Sequence, residues 1–304
     1  MSGGIQHGWP SRFPAGRTAY VNGRYLPHIQ AGVHIEDRGL QFADAIYEVV
    51  GVADGHFLDE EEHLDRLKRS LGEIGMALPM SRAALKLALR EMARRNRIDS
   101  GLIYLQVTRG VVRRDHAVPD RPPRPTLIIT ARRLDPIGIR NRQKQGVHVI
   151  TCRDERWARC DIKSTALLPN VLAKTTARKA GAFEAWLVDK EGFVTEGAST
   201  SVWIVDADGS IITRDLSNAI LPGVTRLVIL KAAEAAQLPV RERKFTVAEA
   251  LAANEAFITA ATLGATPVIS IDGVPVGGGK PGPIVRRIQE LYEHAVDIRS
   301  RAQA

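Results

Sequence analysis

The sequence predicts a mixed α/β protein of two domains, and three observations predict it. Short apolar strands bounded by Asn-Gly and Asp-Gly turns alternate with amphipathic helical stretches along the chain. Proline and glycine break that periodicity most clearly in Leu134-Asp135-Pro136-Ile137-Gly138. A chain of 304 residues is also long enough to bury two modest cores. The expected division is an N-terminal extension over 1–17, a small α/β domain over 18–133, a linker over 134–141 and a larger domain over 142–304.

Met1 to Gly16 is rich in Gly and Pro and lacks an apolar stretch with a small-residue cleavage site, so it reads as a loosely packed extension and not as a secretory signal. Ala19-Tyr20-Val21 and Arg24-Tyr25-Leu26 flank Asn22-Gly23 as a hairpin. Ala45 to Val52 is a strand with a second hairpin turn at Asp54-Gly55. Asp59 suits the cap of a helix whose apolar positions are Leu64, Leu67, Leu71 and Ile74; Ser81 suits the cap of another running to about Arg95. Leu102 to Arg109 and Thr126 to Ala131 are strands on either side of an Arg- and Pro-rich loop from Val112 to Pro125.

After the linker a strand begins at Val147 and a helix covers Ser164 to Ala180. Phe183 to Val188 and Phe193 to Thr195 form a hairpin around Asp189-Lys190-Glu191-Gly192, followed by a strand from Ser201 to Val205. Thr225 to Gln237 is helical, Glu255 to Thr259 and Thr266 to Ile271 are strands, and a helix closes the pattern from about Pro283 to Ala295. Gly277-Gly278-Gly279 is a loop without the spacing or the strand and helix flanks of a phosphate motif.

Composition excludes several classes. Hydrophobic residues at 44% and charged residues at 25% are ordinary for a globular protein, and no apolar run has the length of a membrane span. The charge of +8 is spread along the chain with only 5% aromatic residues, so no nucleic-acid platform is expected. Two cysteines, Cys152 and Cys160, and the absence of metal-ligand spacing argue against a disulfide scaffold and a zinc site, and a cytoplasmic enzyme fits.

Cys160-Asp161-Ile162-Lys163-Ser164 carries the strongest chemical signal. It sets one lysine after a short apolar-polar alternation and ahead of a helix, where a desolvated amine could form a Schiff base. A surface lysine is the plain alternative. Glu196, in Thr195-Glu196-Gly197-Ala198-Ser199-Thr200, suits a carboxylate at a pyridine nitrogen, or a solvated residue at a strand end. Gly223-Val224-Thr225 opens a helix after Pro222, so its amides and the Thr225 hydroxyl suit an anion; the same residues suit a plain N-cap. Arg66 could add a bidentate phosphate contact or lie on a solvated helix face. The joint occurrence of amine, acid and anion cradle points to pyridoxal phosphate.

These segments also occur in the order of a known family. Glu36-Asp37-Arg38-Gly39-Leu40-Gln41-Phe42 through Tyr47-Glu48-Val49-Val50, His63-Leu64-Asp65-Arg66-Leu67, Tyr104 to Gly110, Arg156-Trp157 to Ser164, Val171 to Lys174, Thr195-Glu196-Gly197 and Gly223-Val224-Thr225-Arg226 resemble class IV (fold type IV) pyridoxal phosphate aminotransferases, most of all the D-amino acid aminotransferases. The resemblance runs from about Ala19 to about Ala295. It implies a small N-terminal α/β domain, a larger domain with a barrel-like sheet, a homodimer, and pyridoxal 5'-phosphate in the cleft between domains.

By the same resemblance Lys163 is the Schiff-base lysine, Glu196 pairs with the pyridine nitrogen, and Arg66, Val224 and Thr225 hold the phosphate. Ala260 and Ala261 stand where the family usually carries a phosphate-binding hydroxyl, with Thr262 beside them. Tyr47, Arg114 and His116 match the residues that hold a substrate α-carboxylate, with Asp115 between the last two. His63 and Arg38 suit a supporting layer around Glu196 or a structural role. The implied reaction is transamination between a D-amino acid such as D-alanine or D-glutamate and 2-oxoglutarate or pyruvate. Branched-chain L-amino acid aminotransferase, (R)-amine transaminase, aminodeoxychorismate lyase and a non-catalytic basic binding protein are the alternatives.

Overall fold

The computed structural model describes residues 16–302. Residues 1–15 of the expected extension lie outside the described residues. The chain forms two compact units, the first made of residues up to 57, 63–134 and 164–166.

In the first unit, β1 (Thr18–Val21) and β2 (Arg24–Pro27) pair antiparallel about Asn22 and Gly23, both with positive φ as a two-residue hairpin turn requires. A short helix α1 (Arg38–Phe42) follows, capped by the Asp37 side chain on the Gly39 amide. It ends at Ala43, whose φ of 55° is left-handed. The strands β3 (Ala45–Ala53) and β4 (His56–Phe57) turn at Asp54-Gly55, as expected. The helix α2 (Glu60–Glu73) starts after Asp59, which has a φ of 51° where an ordinary N-cap is extended.

Ser81 caps α3 (Arg82–Asn96) by accepting from the Ala84 amide. With β5 (Gly101–Thr108) and β6 (Thr126–Arg133) the sheet is antiparallel, in the order β2-β1-β6-β5-β3-β4. Leu64, Leu67 and Leu71 of α2 are buried at helical spacing, as are Leu85, Leu89 and Met92 of α3, and Ile46, Ile103 and Leu105 are buried on the strands.

The second unit holds residues 58–62, 135–163 and the chain from 167 onward. The segment expected as a linker is largely helical. Asp135 caps α4 (Pro136–Gln145) and Pro136 occupies its first turn, where a missing amide hydrogen does no harm. Then come β7 (Val147–Arg153), α5 (Leu168–Lys179), β8 (Glu184–Val188), β9 (Val194–Gly197), β10 (Ser201–Val205) and β11 (Ile211–Thr213). They are followed by α6 (Val224–Ala235), β12 (Val240–Glu242), α7 (Val247–Ala252), β13 (Glu255–Ala260), β14 (Gly264–Ile271), β15 (Val274–Pro275) and α8 (Pro283–Ala302).

Helix α5 begins later than the sequence suggests. Ser164 instead makes a bridge with Ile46 and the Thr165 amide donates to the Ala45 carbonyl, so this stretch is held as extended chain. The nine strands form one mixed sheet in the order β12-β11-β10-β13-β14-β7-β8-β9, with β15 on β14. Parallel pairs β11/β12, β14/β7 and β7/β8 lie within an otherwise antiparallel set. Trp186, Trp203, Phe245 and Phe257 are fully buried in this unit, and Trp203 and Phe257 stack at 5.4 Å.

Candidate functional site

Lys163 leaves a tight turn in which the Ile162 amide donates to Arg159 and the Cys160 amide to Asn218. Asp161, buried beside it, is gripped by Arg159 at 2.9 and 3.1 Å. The Lys163 side chain is half-buried, and its charge acts on Glu196. Glu196, near the end of β9, is buried; the Leu221 amide reaches both its oxygens at 3.2 Å and the Arg156 guanidinium donates to Oε1.

Arg156 also holds Asp154, at 2.7 and 2.9 Å, and the Ala219 carbonyl at 3.0 Å. Burial pushes the Glu196 carboxyl above its ordinary pKa, and Arg156, the Leu221 amide and Lys163 oppose that without reversing it. Gly197 has no room for a side chain, since a Cβ would lie 2.1 Å from the Thr200 hydroxyl. Ser199 donates to the buried Glu184 at 2.6 Å, which ties the turn after Glu196 to β8.

The chain runs from Leu221 to Gly223, the N-cap of α6, which offers no side chain to the helix amides. Val224 and Thr225 are buried in the first turn, and the Thr225 hydroxyl oxygen is buried with no hydrogen-bond partner. A helix N-terminus with an unpartnered buried hydroxyl is what a phosphate would satisfy. A buried acid, a lysine whose charge acts on it and a helix N-terminus with an unpartnered hydroxyl are the kinds of group that pyridoxal phosphate requires. Ala260 pairs with Gly264 in the β13–β14 turn, and Ala261 follows it; both contribute only methyl groups.

In the first unit Arg66 is committed differently from the expectation of a phosphate ligand alone. Its Nε and one terminal nitrogen donate to Glu48 at 2.8 and 2.9 Å, and His63 meets the same carboxylate at 2.8 Å. Glu48 is fully buried; burial raises its pKa, but Arg66 and then His63 hold it well below the usual carboxylate range. Tyr47 alternates to the other face of β3 and stacks on Tyr104 at 5.7 Å.

Arg114 and His116, both exposed, gather around Phe42: the Arg114 guanidinium lies 5.1 Å from the ring centroid and the His116 ring 5.4 Å. Asp115 accepts from the Ala117 amide at 3.1 Å. Of the two roles considered for His63 and Arg38, the contacts are structural: His63 serves Glu48, and Arg38 serves Asp44 and the loop at 115–117. Sequence reasoning missed Arg156 and Asp154 as partners in the Glu196 cluster. Their one signal is an acid and an arginine two residues apart just ahead of the lysine segment.

The model of the family described as Amino-transferase class IV matches residues 45–271. The D-alanine aminotransferase of Listeria monocytogenes serotype 4b (strain F2365) is 42% identical over 275 residues, 90% of this chain and 93% of that protein. That of Staphylococcus aureus (strain MSSA476) is 39% identical over 282 residues, 92% and 98% of the two chains. Among solved structures, the branched-chain amino acid aminotransferase of Escherichia coli superposes with a TM-score of 0.82 at 26% identity, covering 92% of this chain and 95% of the other. A second branched-chain amino acid aminotransferase, from T.th. and solved with pyridoxamine 5'-phosphate, gives 0.84 at 26% identity, covering 93% and 95%.

Fold and donor set thus define a fold type IV enzyme that uses pyridoxal phosphate. The chain belongs to the class IV aminotransferases.

Proposed function

We propose that the protein moves an amino group between a D-amino acid, such as D-alanine or D-glutamate, and a 2-oxo acid, such as 2-oxoglutarate or pyruvate. The observation that carries this reading is its likeness, at about two fifths identity over nine-tenths of the chain, to D-alanine aminotransferases. The branched-chain neighbours share the fold at lower identity and fit less well.

Bound pyridoxal phosphate supplies an electron sink for the substrate's α-carbon. Lys163 would hold the group and, with its amine set free by the incoming amino group, would accept the α-proton and pass it on. Glu196 would serve the pyridine nitrogen, its carboxylate held by Arg156 and the Leu221 amide. Val224 and Thr225 would receive the phosphate, with the backbone at Ala260 and Ala261, and Arg66 is the further phosphate residue that the family resemblance implies. Tyr47, Arg114 and His116 bind the α-carboxylate, and the side on which it is held decides which enantiomer turns its hydrogen to Lys163.

In the expected homodimer, the exposed apolar stripe Leu168, Val171 and Leu172 of α5 is a surface that a second copy of the chain would cover. Both cysteines are free, which supports a cytoplasmic setting. No helix among the described residues is long and apolar enough to cross a membrane. The deciding experiment is a spectral titration of the holoenzyme with paired D- and L-amino acids. Conversion by D-alanine or D-glutamate and not by L-leucine is expected; conversion by L-leucine alone would overturn the D-specific reading.

A further inference from the structure

Arg38 is an unusual residue to find under an exposed loop. Its side chain is 4% exposed, and its Nε is fixed on Asp44 at 2.8 Å. One terminal nitrogen donates to the Asp115 carbonyl at 2.6 Å and the Ala117 carbonyl at 3.3 Å, and the other to the His116 carbonyl at 3.0 Å. Three consecutive carbonyls thus converge on one buried fork, whereas the side chains of Arg114, Asp115, His116 and Ala117 are exposed. The start of the loop is tied to the same segment, by the Arg38 amide on the Gly110 carbonyl and a bridge between Asp37 and Val111.

Phe42, one helical turn along α1, carries the second half of the arrangement. Its ring lies 4.9 Å from the Arg38 guanidinium and 5.1 Å from that of Arg114, and the His116 ring is 5.4 Å away. Asp44 is shared with the buried Arg109 at 2.7 Å, and the two arginines hold its pKa below the usual range against the effect of burial. The fork therefore has a fixed counter-charge and cannot swing out to follow a substrate.

We propose that Arg38, with the Phe42 ring, is the positioning residue for substrate carboxylate recognition: it presets the backbone at 115–117 so that Arg114 and His116 stand as one donor pair before substrate arrives. The inference rests on the reading that Arg114 and His116 bind the α-carboxylate. Fixing the pair in advance spares the substrate the ordering of a loop that carries several like charges. A lysine cannot replace the fork, because a single ammonium does not span three carbonyls and a carboxylate.

The test is steady-state kinetics of the holoenzyme with D-alanine for Arg38→Met, Arg38→Lys, Phe42→Leu, Arg114→Ala and the double variant Arg38→Met/Arg114→Ala. Arg38→Met is expected to raise KM by about tenfold to a hundredfold, with kcat and cofactor content near wild type, and added guanidinium ion recovers part of the loss. Arg38→Lys behaves like Arg38→Met, Phe42→Leu raises KM less, and the double variant is no worse than the worse single one. An unchanged KM in Arg38→Met, or a fall in kcat alone, overturns the proposal. Where Arg38→Met fails to fold, Phe42→Leu decides, and an unchanged KM there overturns it. Should Arg114→Ala leave the KM for D-alanine unchanged, the carboxylate reading itself fails; should Arg114→Ala raise it while Arg38→Met does not, only the positioning role of Arg38 fails.

Discussion

The Arg156 guanidinium donates to the Glu196 carboxyl across 40 residues of sequence, and both side chains are almost wholly buried. Arg156 also grips Asp154, whose own hydrogen bond from Thr195 at 2.7 Å returns to the strand that carries Glu196. One cation therefore serves two buried acids, and it fixes the direction of the Glu196 carboxylate.

Removing that cation leaves Glu196 and Asp154 buried without their main partner. Arg156→Met is expected to destabilise the protein by about 3–5 kcal/mol, read as a lowered urea midpoint. Adding Glu196→Gln to it recovers part of the loss, because one of the stranded charges is gone.

Glu196→Gln by itself keeps the Leu221 amide contact but removes the carboxylate that the proposed function assigns to the pyridine nitrogen. Cofactor content stays near wild type, while kcat for D-alanine falls on the order of a hundredfold or more, the scale seen when one preorganised electrostatic group is lost. Single-turnover kinetics beside a cofactor assay separate the two effects.

Much of this architecture is legible in the sequence where local chemistry decides it. Asn22-Gly23 and Asp54-Gly55 take positive φ and make the two hairpins, and Ser81 caps its helix. Lys163 and Glu196 draw attention only together with the anion cradle at Gly223-Val224-Thr225, since a surface lysine and a solvated strand-end acid suit each segment alone. Helix α4 is hidden because Asp135-Pro136 reads as a breaker when it is a cap followed by a first-turn proline. The start of α5 is misjudged because Ser164 and Thr165 bond to β3, a pairing more than a hundred residues distant that no local pattern encodes. The same reason hides the partners of Arg38, Arg66 and Arg156: each arginine has acids nearby in the sequence, and only the fold selects among them.

Glu48 makes stability depend on acid. Its folded pKa lies below that of an unfolded glutamate, about 4.3, because Arg66 and His63 outweigh the effect of burial. Its contribution is complete above that unfolded value and is lost as pH falls toward the folded one. Glu48→Gln is therefore expected to cost about 3–5 kcal/mol at pH 7. Denaturant titrations should show the gap between wild type and variant narrowing once the pH drops below about 4.3.

Cys160 lies three residues before Lys163, yet its thiol is a poor nucleophile. Burial pushes its pKa up to about 11, and Glu196, Asp154 and Asp161 add to the rise while Arg156 opposes it. At pH 8 the thiolate is then on the order of a thousandth of the population. Iodoacetamide is expected to modify Cys160 in the native protein at least about a hundredfold more slowly than in the unfolded chain, measured by peptide mapping over time.

If the turn after β13 lies at the phosphate, as the proposed function has it, a hydroxyl there strengthens cofactor binding. Ala260 closes the pairing with Gly264, and the Leu263 amide donates to the Ala260 carbonyl at 3.0 Å, so the turn is already shaped by backbone bonds. Ala261 does not have positive φ, and a threonine there meets no backbone strain. A hydroxyl donated to a phosphate oxygen is a charge-assisted bond worth about 1.5–3 kcal/mol, part of which is spent on fixing the side chain. Ala261→Thr is expected to lower the Kd for pyridoxal phosphate about tenfold, read by titrating the apoprotein with the cofactor. Ala260→Ser, at the end of the strand, provides the neighbouring comparison. An unaltered Kd in both variants would place this turn outside the phosphate cradle and leave the cradle to the start of α6.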